Sequence, residues 1–301
     1  MNTIAIACYT AILLIGGYWL PLLHSRGVAR ILAWTTAIAT VWLSYGFTID
    51  ATAPVRTTVM VFMQLLSMKV LVLVESYSES RSLSFLHWLA FALGWFGMNP
   101  RLFERLPGTS YSFWPILNKG FSRILVGVLL LYASSKTSQH SATDGFFIPE
   151  LLLLMGISLI LHFGIVNIST AAWRRCGVEA PELFRAPYRA RTLKEFWGRR
   201  WNVAFSEMTA SIAYRPLKHK VGEKPAMVVS FLLSGALHEI AISLPVRSSY
   251  GLPMLYFIIH AVAMRVESWP WVSVRLNQSL MLSRVWVFVL LMSTPSIVVS
   301  S

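Results

Sequence analysis

Apolar residues recur along this chain in runs of about 20, long enough at about 1.5 Å rise per residue to cross a hydrocarbon layer as helices. Eight such runs stand out, approximately 3–23, 28–49, 54–74, 114–134, 146–168, 225–244, 252–268 and 281–299. A ninth, Leu83 to Gly97, is shorter and leads into the polar stretch Asn99 to Gly108, as expected of a re-entrant or interfacial segment. In lipid every backbone N–H and C=O must be paired internally, so such runs predict helices rather than open strands. The expectation is therefore an all-α, polytopic transmembrane helix bundle of about eight or nine spans. It forms one membrane-embedded domain over 1–301.

Composition agrees with the pattern: 55% of the 301 residues are hydrophobic and 13% charged, and the mean hydropathy is +0.59. The charges also orient the bundle. With eight crossings and the N-terminus outside, the inner loops 24–30, 75–123, 169–224 and 269–284 each carry a positive excess, while the outer loops balance: Asp50 offsets Arg56, Lys136 stands against Asp144 and Glu150, and Arg247 restores the balance. This is the distribution the positive-inside rule requires. A full crossing by the ninth segment would put Arg101, Arg105, Lys119 and Arg123 outside and break it. The first apolar run follows no basic residues and carries no small-residue cleavage pattern, which predicts a retained helix. A net charge of +13 spread between apolar segments reads as orientation signal or anion-binding surface, not as a nucleic-acid face. Cys8 and Cys176 are the two cysteines, far apart, so neither a disulfide framework nor a cysteine-built metal site is indicated.

Residues 169–224 form the long polar element, with twelve Lys or Arg against five Glu. Ala180-Pro181 and Ala186-Pro187 punctuate its entry, and Thr192 then opens a helix with Glu195 three places on, a capping-box spacing. An amphipathic helix starting there, on the cytosolic side, places Phe196, Trp197, Trp201 and Phe205 towards bilayer or protein, and Lys194, Arg199 and Arg200 towards anions.

Two polar sites in apolar surroundings can carry chemistry. An ionisable group near the bilayer centre costs on the order of 2.5–3.5 kcal/mol, so it is rarely idle. In Ser234-Gly235-Ala236-Leu237-His238-Glu239, the histidine lies about 20 Å along its helix from Pro225. A neutral imidazole there can act as general base for an alcohol arriving through lipid, with Glu239 to orient or charge-balance it. The same residues also fit a structural pair or a proton relay in a carrier. A zinc-protease motif is excluded, because Ile242 stands where the second histidine of HExxH is required. His260 and Glu267, seven apart on one helix face, read as a structural pair. The second site is Phe196-Trp197-Gly198-Arg199-Arg200-Trp201-Asn202, which fits either an interfacial aromatic belt or a binding site. Asn202 can hold a carbonyl, and Arg199 and Arg200 can fork onto phosphates.

Taken in order, Phe184-Arg185-Ala186-Pro187, the stretch Thr192 to Asn202, Tyr214-Arg215-Pro216, Ser234-Gly235 with His238-Glu239, and Phe257 with His260 to Glu267 closely resemble the wax-synthase-like branch of the membrane-bound O-acyltransferases. The resemblance covers roughly 180–299 in its motifs and the earlier helices in hydropathy alone. It implies transfer of an acyl group from acyl-CoA to a lipid-soluble alcohol, whether long-chain, sterol or terpenoid, with no tightly bound cofactor and no metal. By that likeness His238 is the catalytic base and Asn202 the second active-site polar residue. Glu239, Trp197 and Trp201 support them, and Arg199 and Arg200 bind the acyl-CoA. The expected partners are acyl-CoA, a hydrophobic alcohol and the bilayer. The setting is a bacterial inner membrane or the endoplasmic reticulum. A proton-coupled transporter that relays through His238, Glu239, His260 and Glu267 is the competing expectation.

Overall fold

A computed structural model of the protein describes residues 1–77, 83–138 and 148–292. Glu79, Arg81 and Asp144, which enter the loop charge balance, and the end of the last apolar run at 293–299 lie outside the described residues. Among the described residues every regular element is helical. Six helices are long and apolar enough to cross a membrane: Thr3–Leu22, Arg26–Phe47, Ala53–Ser76, Trp114–Thr137, Ile148–Arg175 and Glu223–Val246. The remaining runs differ from simple crossings. Leu252–Glu267 has 16 residues, about 24 Å against a hydrocarbon core of about 30 Å. Pro270–Gln278 and Leu280–Leu291 meet at 114° and count as a seventh span only as a bent pair. Phe85–Gly94, with 10 residues, is too short to cross.

The chain forms two compact units. The smaller, Trp95–Gly97 with Leu102–Arg185, is built on α5 (Trp114–Ser138) packed against α6 (Ile148–Ser158) and α7 (Val166–Arg175). Glycines set that packing. A Cβ on Gly127 would stand 2.8 Å from the Gly156 carbonyl oxygen, and one on Gly156 would stand 2.9 Å from that of Gly127. Small residues bring helix backbones together where lipid supplies no hydrophobic drive between helices.

The larger unit, Met1–Gly94, Met98–Arg101 and Ala186–Ser301, holds all the candidate site residues. It begins with α1 (Thr3–Trp19), α2 (Arg26–Phe47), α3 (Ala53–Ser76) and α4 (Phe85–Gly94). Helix α3 is central: 67% of its apolar window is buried, against 17% for the first helix. Helix α2 turns the small stripe Ala29, Ala33, Ala37, Thr40 and Ser44 inward, while Ile31, Ile38 and Trp42 face out as a lipid-exposed surface.

The C-terminal part of this unit comprises α8 (Leu193–Glu195), α9 (Val203–Thr209), α10 (Arg215–Val221), α11 (Glu223–His238), α12 (Leu244–Val246), α13 (Leu252–Glu267), α14 (Pro270–Gln278) and α15 (Leu280–Met292). Three widened π-helical turns interrupt it, at Phe196–Arg200, Ala210–Tyr214 and Glu239–Ser243. Pro216 and Pro245 follow two of them closely. Proline lacks the N–H that closes an α turn and its ring pushes back the preceding carbonyl, so the turn before it opens.

An opened turn leaves a carbonyl to be satisfied from elsewhere. Gln64 of α3 meets this need at the third turn, donating from Nε2 to the carbonyl of Leu237 at 3.0 Å. Arg56, also buried on α3, donates to the carbonyls of Pro245 at 2.5 Å, Ala51 at 3.1 Å and Ile49 at 3.2 Å. The central helix thus fixes the backbone on both sides of the widened turn after His238. Replacing Gln64 with Leu leaves that carbonyl unmade, which costs about 1–3 kcal/mol. A fall in the unfolding midpoint of purified Gln64→Leu protein in detergent is the expected result, and an unchanged midpoint contradicts it.

Candidate active site

The polar element that opens at Thr192 is not one amphipathic helix, as its spacing suggested. Thr192 does cap: its Oγ1 accepts from the N–H of Glu195 at 3.0 Å. After one α turn the chain widens over Phe196–Arg200 and breaks at Asn202, whose φ of 41° lies in the left-handed region. Asparagine tolerates that conformation better than most residues, because its short side chain bonds the local backbone. Here Oδ1 of Asn202 accepts from the N–H of Phe205 at 3.3 Å and starts α9. Phe196 and Trp201 stack at 5.6 Å with an interplanar angle of 12°, on the core formed with Leu193, Ala263 and Val287. Trp197 borders the same core, meeting Phe196 edge-on at 5.2 Å, and also reaches Phe231, Tyr256, Phe257 and His260.

Carboxylates anchor this turn. Glu267, buried on α13, accepts from the N–H of Leu193 at 2.7 Å, from the N–H of Lys194 at 3.4 Å and from Nε1 of Trp286 at 3.0 Å. It does not pair with His260, whose Nδ1 instead contacts the Tyr256 carbonyl at 2.9 Å. The helix start at Thr192 offers free N–H groups, and a carboxylate satisfies them better than an imidazole seven residues away can satisfy the carboxylate. Glu195 accepts from the N–H of Arg191 at 2.9 Å and from Nε of Arg200 at 2.7 Å. Arg200 also reaches the carbonyl of Ala186. Arg199, by contrast, is exposed and forms no ion pair among the described residues.

His238 ends α11 just before the third widened turn. Its ring lies between Phe257, at a centroid distance of 4.6 Å, and Phe205, at 5.2 Å. Nδ1 is 2.8 Å from the carbonyl of Ser234. A carbonyl only accepts, so Nδ1 carries the proton, and in the neutral ring Nε2 keeps its lone pair. Glu239 does not orient this imidazole. Its carboxylate accepts from the N–H of Gly251 at 2.6 Å and of Met254 at 3.3 Å, capping the start of α13. Four N–H groups at a helix start are unpaired, and an anion satisfies them and the dipole together.

A cavity of about 190 Å³ lies against these residues, lined among others by Lys194, Trp197, Phe205, Tyr214, Ser234 and Phe257. The ring of His238 packs against two of the lining residues, Phe205 and Phe257. Asn202 joins the group through Phe205, and Trp197 through Phe257, while Arg199 is exposed and Trp201 stacks on Phe196 in the core. Sequence reasoning passed over Gln64 and the part played by the Ser234 carbonyl, and it named Phe257 only as a motif residue. Gln64 was detectable as a lone amide in an apolar run, and Ser234 as the residue four before His238.

The Glu195 carboxyl is pushed up by partial burial, but the N–H of Arg191 and the guanidinium of Arg200 outweigh this and hold it below its ordinary value of 4.5. A depressed carboxylate stabilises the fold above its unfolded value and loses that contribution as pH falls through the lower folded one. The unfolding midpoint of Glu195→Gln should therefore lie below that of the unmodified protein at neutral pH. The gap should close only below about pH 4.5. A gap independent of pH would contradict this.

Residues 180–259 match the model of the membrane bound O-acyl transferase family. The long-chain-alcohol O-fatty-acyltransferase of Simmondsia chinensis is 26% identical over 150 residues, covering 47% of this chain and 41% of that protein. A probable long-chain-alcohol O-fatty-acyltransferase 1 of Arabidopsis thaliana is 29% identical over 156 residues, 48% of this chain and 44% of that protein. An acyl-CoA–sterol O-acyltransferase 1 of the same plant is 28% identical over 123 residues, 37% and 36%. The chain thus matches less than half the length of these relatives. Over residues 180–259, where the widened turns, Asn202 and His238 lie, it is similar to the membrane bound O-acyl transferase family and to relatives named as long-chain-alcohol O-fatty-acyltransferases.

Proposed function

We infer that the protein is an acyl-CoA-dependent O-acyltransferase that esterifies a lipid-soluble alcohol, working as one membrane-embedded domain. The observation that carries this is the state of His238. Its Nδ1 proton is held by the Ser234 carbonyl, and Nε2 keeps a free lone pair among apolar rings. Support comes from the relatives, which are named for long-chain alcohols and a sterol. Both are hydroxyl compounds that dissolve in lipid, as an acceptor for a base inside an apolar helix must.

In the reaction Nε2 of His238 takes the hydroxyl proton while the alcohol oxygen bonds to the thioester carbonyl carbon. The carbon–sulfur bond then breaks, and the imidazolium returns its proton to the departing thiolate. Ester and free thiol are the products, and His238 is regenerated. Asn202 spends Oδ1 on its helix cap, which leaves its NH₂ to donate to the carbonyl oxygen as charge develops there. Arg199, exposed beside the cavity turn, presents a forked donor set to the CoA phosphates. Arg200, bonded to Glu195, keeps that turn in shape, with Trp197 and Trp201 packed on either side of it. Glu239 serves by fixing the start of α13, which carries Phe257 against the base.

Removing a positioned general base costs about 10²–10⁴-fold in rate. Reconstituted His238→Ala should therefore fold and bind acyl-CoA as the unmodified protein does, yet release thiol and form ester more slowly by that factor. Near-normal ester formation would overturn the assignment.

A further inference from the structure

Two buried polar atoms near the cavity have no hydrogen-bond partner among the described residues: Nε1 of Trp197 and Nε2 of His260. Their rings meet edge-on, with centroids 5.5 Å apart at 85°. The two atoms are chemically complementary. An indole N–H only donates. His260 holds the Tyr256 carbonyl with Nδ1 at 2.9 Å, so that nitrogen bears the proton and neutral Nε2 accepts. Each unmade buried group costs about 1–3 kcal/mol, and in an apolar bundle no bulk water reaches them to offset it. A donor and an acceptor left over side by side define a slot for a third group.

That group must accept from Trp197 and donate to His260. A hydroxyl does both through one oxygen. Position ties the slot to the reaction. His260 is fully buried on α13, with Phe257 and Met264 a turn to either side, and both of these line the cavity together with Trp197. The Phe257 ring stands 5.5 Å from that of Trp197 and 4.6 Å from that of His238. The slot is therefore one aromatic ring away from the base.

The geometry points to a second hydroxyl-binding station, made by Trp197 and His260, that holds a hydroxyl of one of the two substrates. It rests on the acyltransferase reading for its substrates, and its chemistry admits two sources: the alcohol before it moves to His238, or the hydroxyl on the pantetheine arm of the acyl donor. In either case the station sets the depth to which that substrate enters the cavity.

The test follows the indole N–H directly. Protein labelled with ¹⁵N at the tryptophan indoles is placed in nanodiscs, and the Trp197 resonance is assigned with Trp197→Phe. A fatty alcohol and a non-transferable thioether analogue of acyl-CoA are titrated separately. A downfield shift of the Trp197 N–H is expected with at least one of them, lost in His260→Phe and kept in His260→Gln, whose side-chain oxygen still accepts. A shift with the alcohol assigns the acceptor hydroxyl, and a shift with the thioether assigns the donor arm. In turnover, the KM of the same substrate should rise about tenfold in Trp197→Phe. No shift with either ligand, or an equal shift in His260→Phe, overturns the station, with the other tryptophan resonances reporting that the variant is folded. Because the shift needs no chemistry, a failure to form ester would count against the proposed function and not against this slot.

Discussion

The contact between Nδ1 of His238 and the carbonyl of Ser234, 2.8 Å long, decides which ring nitrogen holds the proton and where the other points. Much of the larger unit supports this one bond. The turn after His238 is opened ahead of Pro245, and an opened turn inside an apolar bundle holds its shape only if its stray carbonyls find donors. Gln64 and Arg56 supply them from the most buried helix of the unit. Glu239 leaves the imidazole alone and fixes the next helix by its N-terminus, which brings Phe257 against the histidine ring.

The same economy of polar groups shapes the turn that carries Trp197. Its leading N–H groups go to Glu267, its capping residue to Glu195, and Glu195 in turn to Arg200. These bonds hold a short, widened helix that would not persist alone, since a single turn fixes several residues for few hydrogen bonds. Trp201 stacks on Phe196 in the core, and Trp197 borders that core and lines the cavity. Two polar atoms on this side remain buried without a partner among the described residues, the indole N–H of Trp197 and Nε2 of His260, and Phe257 packs against the rings of both Trp197 and His238. Charge stands outside this group, on Lys194 and Arg199.

Much of this was legible from residues alone. Apolar run length gave the helices, because run length is what a bilayer selects. The charge pattern separated the short segment at Phe85–Gly94 from true crossings, and Thr192 announced a helix start. His238 and Trp197 stood out as polar or amphipathic groups in apolar company. Partners were harder to foresee. Glu239 follows His238 in sequence, yet on a helix adjacent residues point about 100° apart, and its carboxylate found the free N–H groups of α13 instead. Glu267 shares a face with His260 but meets a helix start 74 residues earlier in the chain, a contact no local spacing encodes. The widened turns also escaped, since prolines mark where a helix is disturbed but not whether it breaks, kinks or opens.

The most direct measurement of the central claim is ester formation by His238→Asn, whose side-chain NH₂ keeps a donor for the Ser234 carbonyl while the proposed base is gone. With the fold and acyl-CoA binding intact, ester formation should fall to the level of His238→Ala. Ester formation at the unmodified rate would show that Nε2 of His238 is not the atom that takes the alcohol proton.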